Sequence, residues 1–227
     1  MNEVRAENLR YLSERGFVVA GNLPLVRSDI CDSPKIRPIG EIFGRLLALK
    51  ALWLWVDDHP DAEPTNIVSE MLEFYKLQCF LTAEENEILS LSREEACQQH
   101  GHLMGWKNEN CWALAWVLGF PDIPSVEGDQ VGGDFGRRLM LDWLPDNAVQ
   151  CAKLSENIKL RDSVEVHSLE DLFYCAHNAV RSAQQGSETA PPEFDPILNG
   201  GCVHERRHAL TWVLSPGVEW GDTDLST

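Results

Sequence analysis

Along most of the chain apolar side chains recur every three to four positions, the period of a helix with one face against a core. Residues 3–15 follow it and stop at Gly16, and residues 65–78 carry Ile67, Val68, Met71, Leu72 and Tyr75 at the same spacing. Between them the run 39–56 is apolar nearly all the way round, which predicts a central buried helix opening after Pro38. Thr82-Ala83-Glu84-Glu85 and Ser92-Arg93-Glu94-Glu95 fit the capping box and predict two helix starts. A helix over 106–118 should end at Gly119, with Pro121 beyond. Residues 135–166 predict interrupted helix, Ser168 opens a helix to about 184, and a last helix covers 203–214. The segment 17–26, with Gly21 and Pro24, reads as extended chain compatible with one short strand. Long loops are expected at 120–134 and 186–200, and a solvated turn at Asp57-Asp58-His59-Pro60-Asp61. The expected fold is mainly α: a single-domain multi-helix bundle over 1–227 around the apolar helix at 39–56.

Composition narrows the class. The 227 residues include 36 acidic and 19 basic side chains, a formal charge of −17. Such a balance disfavours nucleic acid and anionic membrane as partners and favours a basic protein. Most of the acid falls in stretches expected to be solvated: 57–63, 84–95, 122–134 and the tail. The opening residues are charged and lead into no apolar core, and the apolar stretch 46–56 is interrupted by Lys50, so a cytoplasmic protein is expected. Seven widely spaced cysteines without a CxxC pair read as reduced thiols.

Several segments together resemble a bacterial family known as domain of unknown function 4272. They are Arg37-Pro38-Ile39-Gly40-Glu41-Ile42 with Arg45, Leu81-Thr82 with its acidic helix, and Trp106-Lys107-Asn108-Glu109 continuing to Trp116-Val117-Leu118-Gly119. Asp171-Leu172-Phe173-Tyr174 with His177 and Arg181, and Glu205-Arg206-Arg207-His208-Ala209-Leu210-Thr211-Trp212, complete the set. Lys107 and Asn178 depart from the family's usual Arg and Trp, and the match dissolves after Trp220. The resemblance implies a soluble, mostly helical protein of about this length and supplies no activity.

Helical geometry then singles out charges on apolar faces. At about 100° per residue, Glu41 and Arg45 share a sector with Ala48, Leu49 and Leu52. Glu109 falls beside Trp112, Ala113 and Trp116, and Arg206 between Leu210 and Val213. A buried charge without a partner costs several kcal/mol, so these four should meet polar groups. They form either a central polar pocket or a salt-bridge network that fixes helix register. On the helix after Ser168, Asp171, Tyr174, His177 and Arg181 gather opposite the apolar face: a solvated side, or a candidate binding face.

His204-Glu205-Arg206-Arg207-His208 has the H-E-x-x-H spacing of zinc hydrolases, which need a third ligand. Thr211 and Leu214 stand where the extended motif has Gly and His, and the interior arginines oppose a dication, so no cofactor is expected and zinc stays a minor alternative. The leading expectation is an acidic, protein-binding module of immunity- or inhibitor-like character. The rivals are a hydrolase using the inward charges or the metal-like motif, and a sensor of a small polar ligand.

Overall fold

The computed structural model describes residues 3–25, 35–56 and 64–227. The described residues are mainly α-helical, as the periodicity predicts. Two compact units interleave along the chain. One is formed by Met1–Arg37, Ile123–Gln130 and Arg161–Thr227, the other by Pro38–Asp122 and Val131–Leu160.

The second unit is built on α2 (Ile39–Val56), against which pack α3 (Pro64–Phe74), α4 (Ala83–Ser90), α5 (Arg93–His100) and α6 (Met104–Val117). Its sequence explains its centrality, because Leu46, Leu47, Ala48, Leu49, Ala51 and Leu52 cover every direction and all are buried. Pro38 opens the helix, its carbonyl accepting from the Glu41 and Ile42 amides. Both capping boxes form: Thr82 with Glu85 ahead of α4, and Ser92 with Glu95 ahead of α5. Gly119 ends the α6 region at φ +106°, where a side chain would also meet the Lys159 carbonyl. Short α7 (Gly133–Arg137) runs into a π-helical turn at Arg138–Trp143, and α8 (Ala148–Asn157) is capped by Asn147.

The first unit packs α1 (Glu3–Glu14) and α10 (Leu198–Val213) against α9 (Ser163–Gln184). Here two helix starts and one segment differ from expectation. α9 begins at Ser163, because the Asp162 side chain accepts from the Val164 amide, which leaves Ser168 inside the helix. α10 begins at Leu198, within the expected loop, because Asp195 accepts from the Ile197 and Leu198 amides. The segment 17–25 is not a strand; Val18 donates to the Thr189 carbonyl and Ala20 to the Asn178 side chain, and no ladder follows. Position 26, Cys31 and the predicted turn at 57–61 lie outside the described residues.

Candidate functional site

Irregular segments leave main-chain carbonyls in need of donors, and long basic side chains reach them. Among the described residues six such cations are buried, each with at most 5% of its surface exposed: Arg5, Arg37, Arg45, Lys50, Arg206 and Arg207. Every one donates to carbonyls of loops or helix ends in its own unit. Arg5 reaches Leu23 and Pro24, and Arg37 reaches Trp212, Ser215 and Val218 where α10 ends. Arg45 holds Phe80, Lys50 holds Leu144 and Pro145, and Arg206 holds Ser125 and Asp129. Arg207 holds Leu225 and Ser226.

In the α2 unit, the Arg45 guanidinium forks onto Glu85 at 2.5 and 2.8 Å, and Lys107 adds a contact at 3.3 Å. Burial alone would raise the Glu85 carboxyl, but Arg45 beside it outweighs burial and holds it at about 2. Next to Arg45 in sequence, Gly44 lets the Phe80 ring come so close that a Cβ would sit 2.3 Å from it. Neighbouring residues of α2 therefore grip one residue, by its ring and by its carbonyl. Glu109, fully buried, accepts from the Val131 amide at 2.5 Å, while the thiol of Cys111, two residues on, is pushed up to about 12 by burial. Glu41 is half-buried. Of the predicted polar four, Glu41, Arg45 and Glu109 belong to this unit and Arg206 to the other.

Between α9 and α10 a second cluster forms, one that mixes the predicted binding face with the metal-like motif. Tyr174 and His177 are buried at 6% and 4% exposure, so they do not form a solvated face. Arg207 donates to His177 Nδ1 at 2.6 Å. His177 Nδ1 must then be the acceptor, so its Nε2 carries the proton and faces His204 Nδ1 at 3.4 Å. Burial, with Arg207 alongside, pushes the His177 imidazole down to about 3. Glu170 lies 3.7 Å from Arg207 Nε and accepts from Thr211 at 3.0 Å. Arg207 also stacks on the Tyr174 ring at 4.8 Å, and Arg5 does so at 5.4 Å while forking onto Asp171. Arg181 is exposed and bonds Gln184.

The two histidines of the H-E-x-x-H motif are engaged apart. His204 faces His177, whereas His208 Nε2 donates to the Trp220 carbonyl at 2.9 Å and stacks on its ring. Glu205 stands 3.9 Å from His208. No group of three His, Cys, Asp or Glu side chains converges in metal-holding geometry among the described residues.

A groove of about 420 Å³ in the α2 unit was not foreseen. It lies along α3 and the start of α8, lined by Ile67, Phe74 and Tyr75 with Glu70, Glu73 and Asp146. Phe74 is 66% exposed, and among the described residues no basic side chain lines the groove. Lys50, noticed in the sequence as an interruption of an apolar helix, bonds Asp146 from below at 2.5 Å.

No helix among the described residues is long and apolar enough to cross a membrane. No curated protein and no solved structure matches the chain. The family model described as "Domain of unknown function (DUF4272)" matches residues 5–223, and its span takes in α1, the Arg37–Arg45 motif, the α9–α10 histidine cluster and the turn at Trp220. Matched over nearly its whole length, the chain belongs to the DUF4272 family.

Proposed function

We propose that this protein is an acidic protein-binding module whose partner presents a basic, amphipathic segment. The observation that carries the reading is the α3–α8 groove, where the exposed Phe74 and Ile67 offer an apolar seat ringed by Glu70, Glu73 and Asp146. Apolar anchors within a rim of one charge give affinity and specificity together.

Burial of the cations strengthens it. Six of the 19 basic residues and three of the 36 acidic ones (Glu85, Glu109 and Glu170) are buried among the described residues. That leaves 13 basic and 33 acidic residues elsewhere in the chain, so the excess of acid there is 20 rather than 17. An inhibitor-like role against a basic partner fits such a surface.

A helical peptide with one leucine face and one lysine face is the probe. Glu70→Lys with Glu73→Lys should weaken binding at least about tenfold at low salt, and Phe74→Ala about fivefold or more. Glu3→Lys with Glu7→Lys, an equal charge change on exposed positions of α1, should cost far less. Equal losses for the two charge-reversed pairs would mean that only net charge attracts the peptide, and the groove reading would fall.

A further inference from the structure

Arg207 differs from Arg45 and Arg5 in what its terminal nitrogens meet. Its two terminal nitrogens donate to the carbonyls of consecutive residues, Leu225 at 2.8 Å and Ser226 at 3.2 Å. A carboxylate or phosphate group offers a guanidinium the same two-point fork, with charge added. Arg45 and Arg5 already have such a partner, in Glu85 and Asp171. Arg207 has two neutral carbonyls and a neutral imidazole at hydrogen-bond length, and its ion pair with buried Glu170 is longer, at 3.7 Å.

The segment that supplies those carbonyls is lightly fastened. Ser226 bonds Asp224 within the segment itself, and Thr223 bonds back to Trp220 in the turn before it. Asp224, Ser226 and Thr227 are exposed, and Leu225, half-buried, is the one apolar anchor. Beneath lie donors suited to an oxyanion: the Arg207 fork and, since His204 Nδ1 faces the His177 Nε2–H, the Nε2–H of half-buried His204.

We propose that Arg207 and His204, both oriented by His177, form a binding site for a small oxyanion group, a carboxylate or a phosphate, and that residues 223–227 are a built-in strap occupying it. The strap's carbonyl pair holds the place of two ligand oxygens, and Asp224 brings a carboxylate near the same cation. A ligand binds only as the strap leaves, so its affinity is reduced by the fraction of time the site is covered. This inference is independent of the α3–α8 groove; either can fail without the other.

The test titrates the full chain with inorganic phosphate and, separately, with acetate at matched ionic strength. Amide and arginine Nε resonances are followed by NMR. Leu225→Gly removes the strap's apolar anchor and leaves Arg207, His177 and His204 unchanged. Either anion should shift the Arg207 signal and move the amides of 225–227 toward unstructured positions, at about tenfold lower concentration in Leu225→Gly. Response to phosphate alone identifies a phosphate site, and response to both identifies a general oxyanion site. Arg207→Lys in the Leu225→Gly background keeps the charge but loses the fork, and it should lose at least about tenfold in affinity. If folded Leu225→Gly shows no shift at Arg207 or in the tail with either anion, or binds no tighter than the parent chain, the proposal is wrong. Retained affinity in the Arg207→Lys variant would overturn it equally.

Discussion

Two guanidiniums equally deep in the protein, Arg45 at 1% exposure and Arg207 at 2%, meet different company. Arg45 forks onto a buried carboxylate that also completes the capping box of α4, so one ion pair joins α2, the Phe80 turn and the start of a helix. Arg207 meets main-chain carbonyls and a neutral imidazole, with its nearest carboxylate held off at 3.7 Å. A charge matched to a charge in fixed geometry locks structure, because neither partner can leave without stranding the other. A charge whose hydrogen bonds go to neutral groups and whose ion pair, with Glu170, is long is stable enough to persist and still has more to gain from an anion.

The sharpest way to break this comparison is to remove each cation. Arg45→Met strands the Glu85 carboxylate and should cost about 3–5 kcal/mol in urea denaturation, with most of it recovered when Glu85→Leu is added. Arg207→Met leaves behind mainly neutral acceptors, and Glu170 keeps its bond from Thr211, so about half that cost is expected. Equal costs would show that Arg207 and Glu170 behave as a tight pair despite their spacing.

Acid separates the clusters next. With His177 held at about 3 by burial and by Arg207, and also facing His204 and Arg181, the unfolded chain binds more protons between about pH 6.5 and 3. Stability therefore rises with pH across that window, and acidification below 6.5 costs up to about 1.4 kcal/mol per pH unit from this group. His177→Gln keeps an acceptor for Arg207 and should lower the proton uptake on unfolding by about one proton at pH 5 and by only about a quarter of one at pH 7. Glu85 works in a lower window. Its folded value near 2 lies below the ordinary carboxyl range, so its contribution of about 3 kcal/mol is intact above about pH 4.5 and is lost toward pH 2. An unchanged proton uptake in His177→Gln would mean that the imidazole titrates normally.

The smallest expected effect tests the grip on Phe80. Gly44→Ala places a methyl against the ring at 2.3 Å and should cost about 1–2 kcal/mol as the half-buried ring shifts aside. Added to Arg45→Met it should be markedly non-additive, since both act on the same residue. Simple additivity of the two thermal shifts would show that ring and carbonyl are held independently.

Much of this architecture was legible from spacing alone. The all-round apolar run at 39–56 announced α2, and the boxes at Thr82 and Ser92 announced α4 and α5 because capping is local chemistry within four residues. The starts of α9 and α10 were misplaced for the same local reason: Asp162 and Asp195 outcompeted the later Ser168 and the expected loop. Arg45, Glu109 and Arg206 were recognisably inward from their helical phase. Their partners were not, since Phe80, Glu85, Val131, Ser125 and Asp129 lie 22 to 81 positions away. Lys50 was visible as an oddity in an apolar helix, yet only the loop at 144–146 gives it a role.

The sequence by itself determined that this chain is helical, acidic and a DUF4272 member, because periodicity, composition and motif spacing are properties of neighbouring residues. Tertiary structure alone decided which charge meets which carbonyl. It drew cations inward and left acid elsewhere, gathered Tyr174, His177, His204 and Arg207 from two helices, and set the carbonyls of residues 225 and 226 against Arg207. The reason is that a buried cation is satisfied by whichever acceptors folding brings within about 3 Å, and no local pattern records that choice.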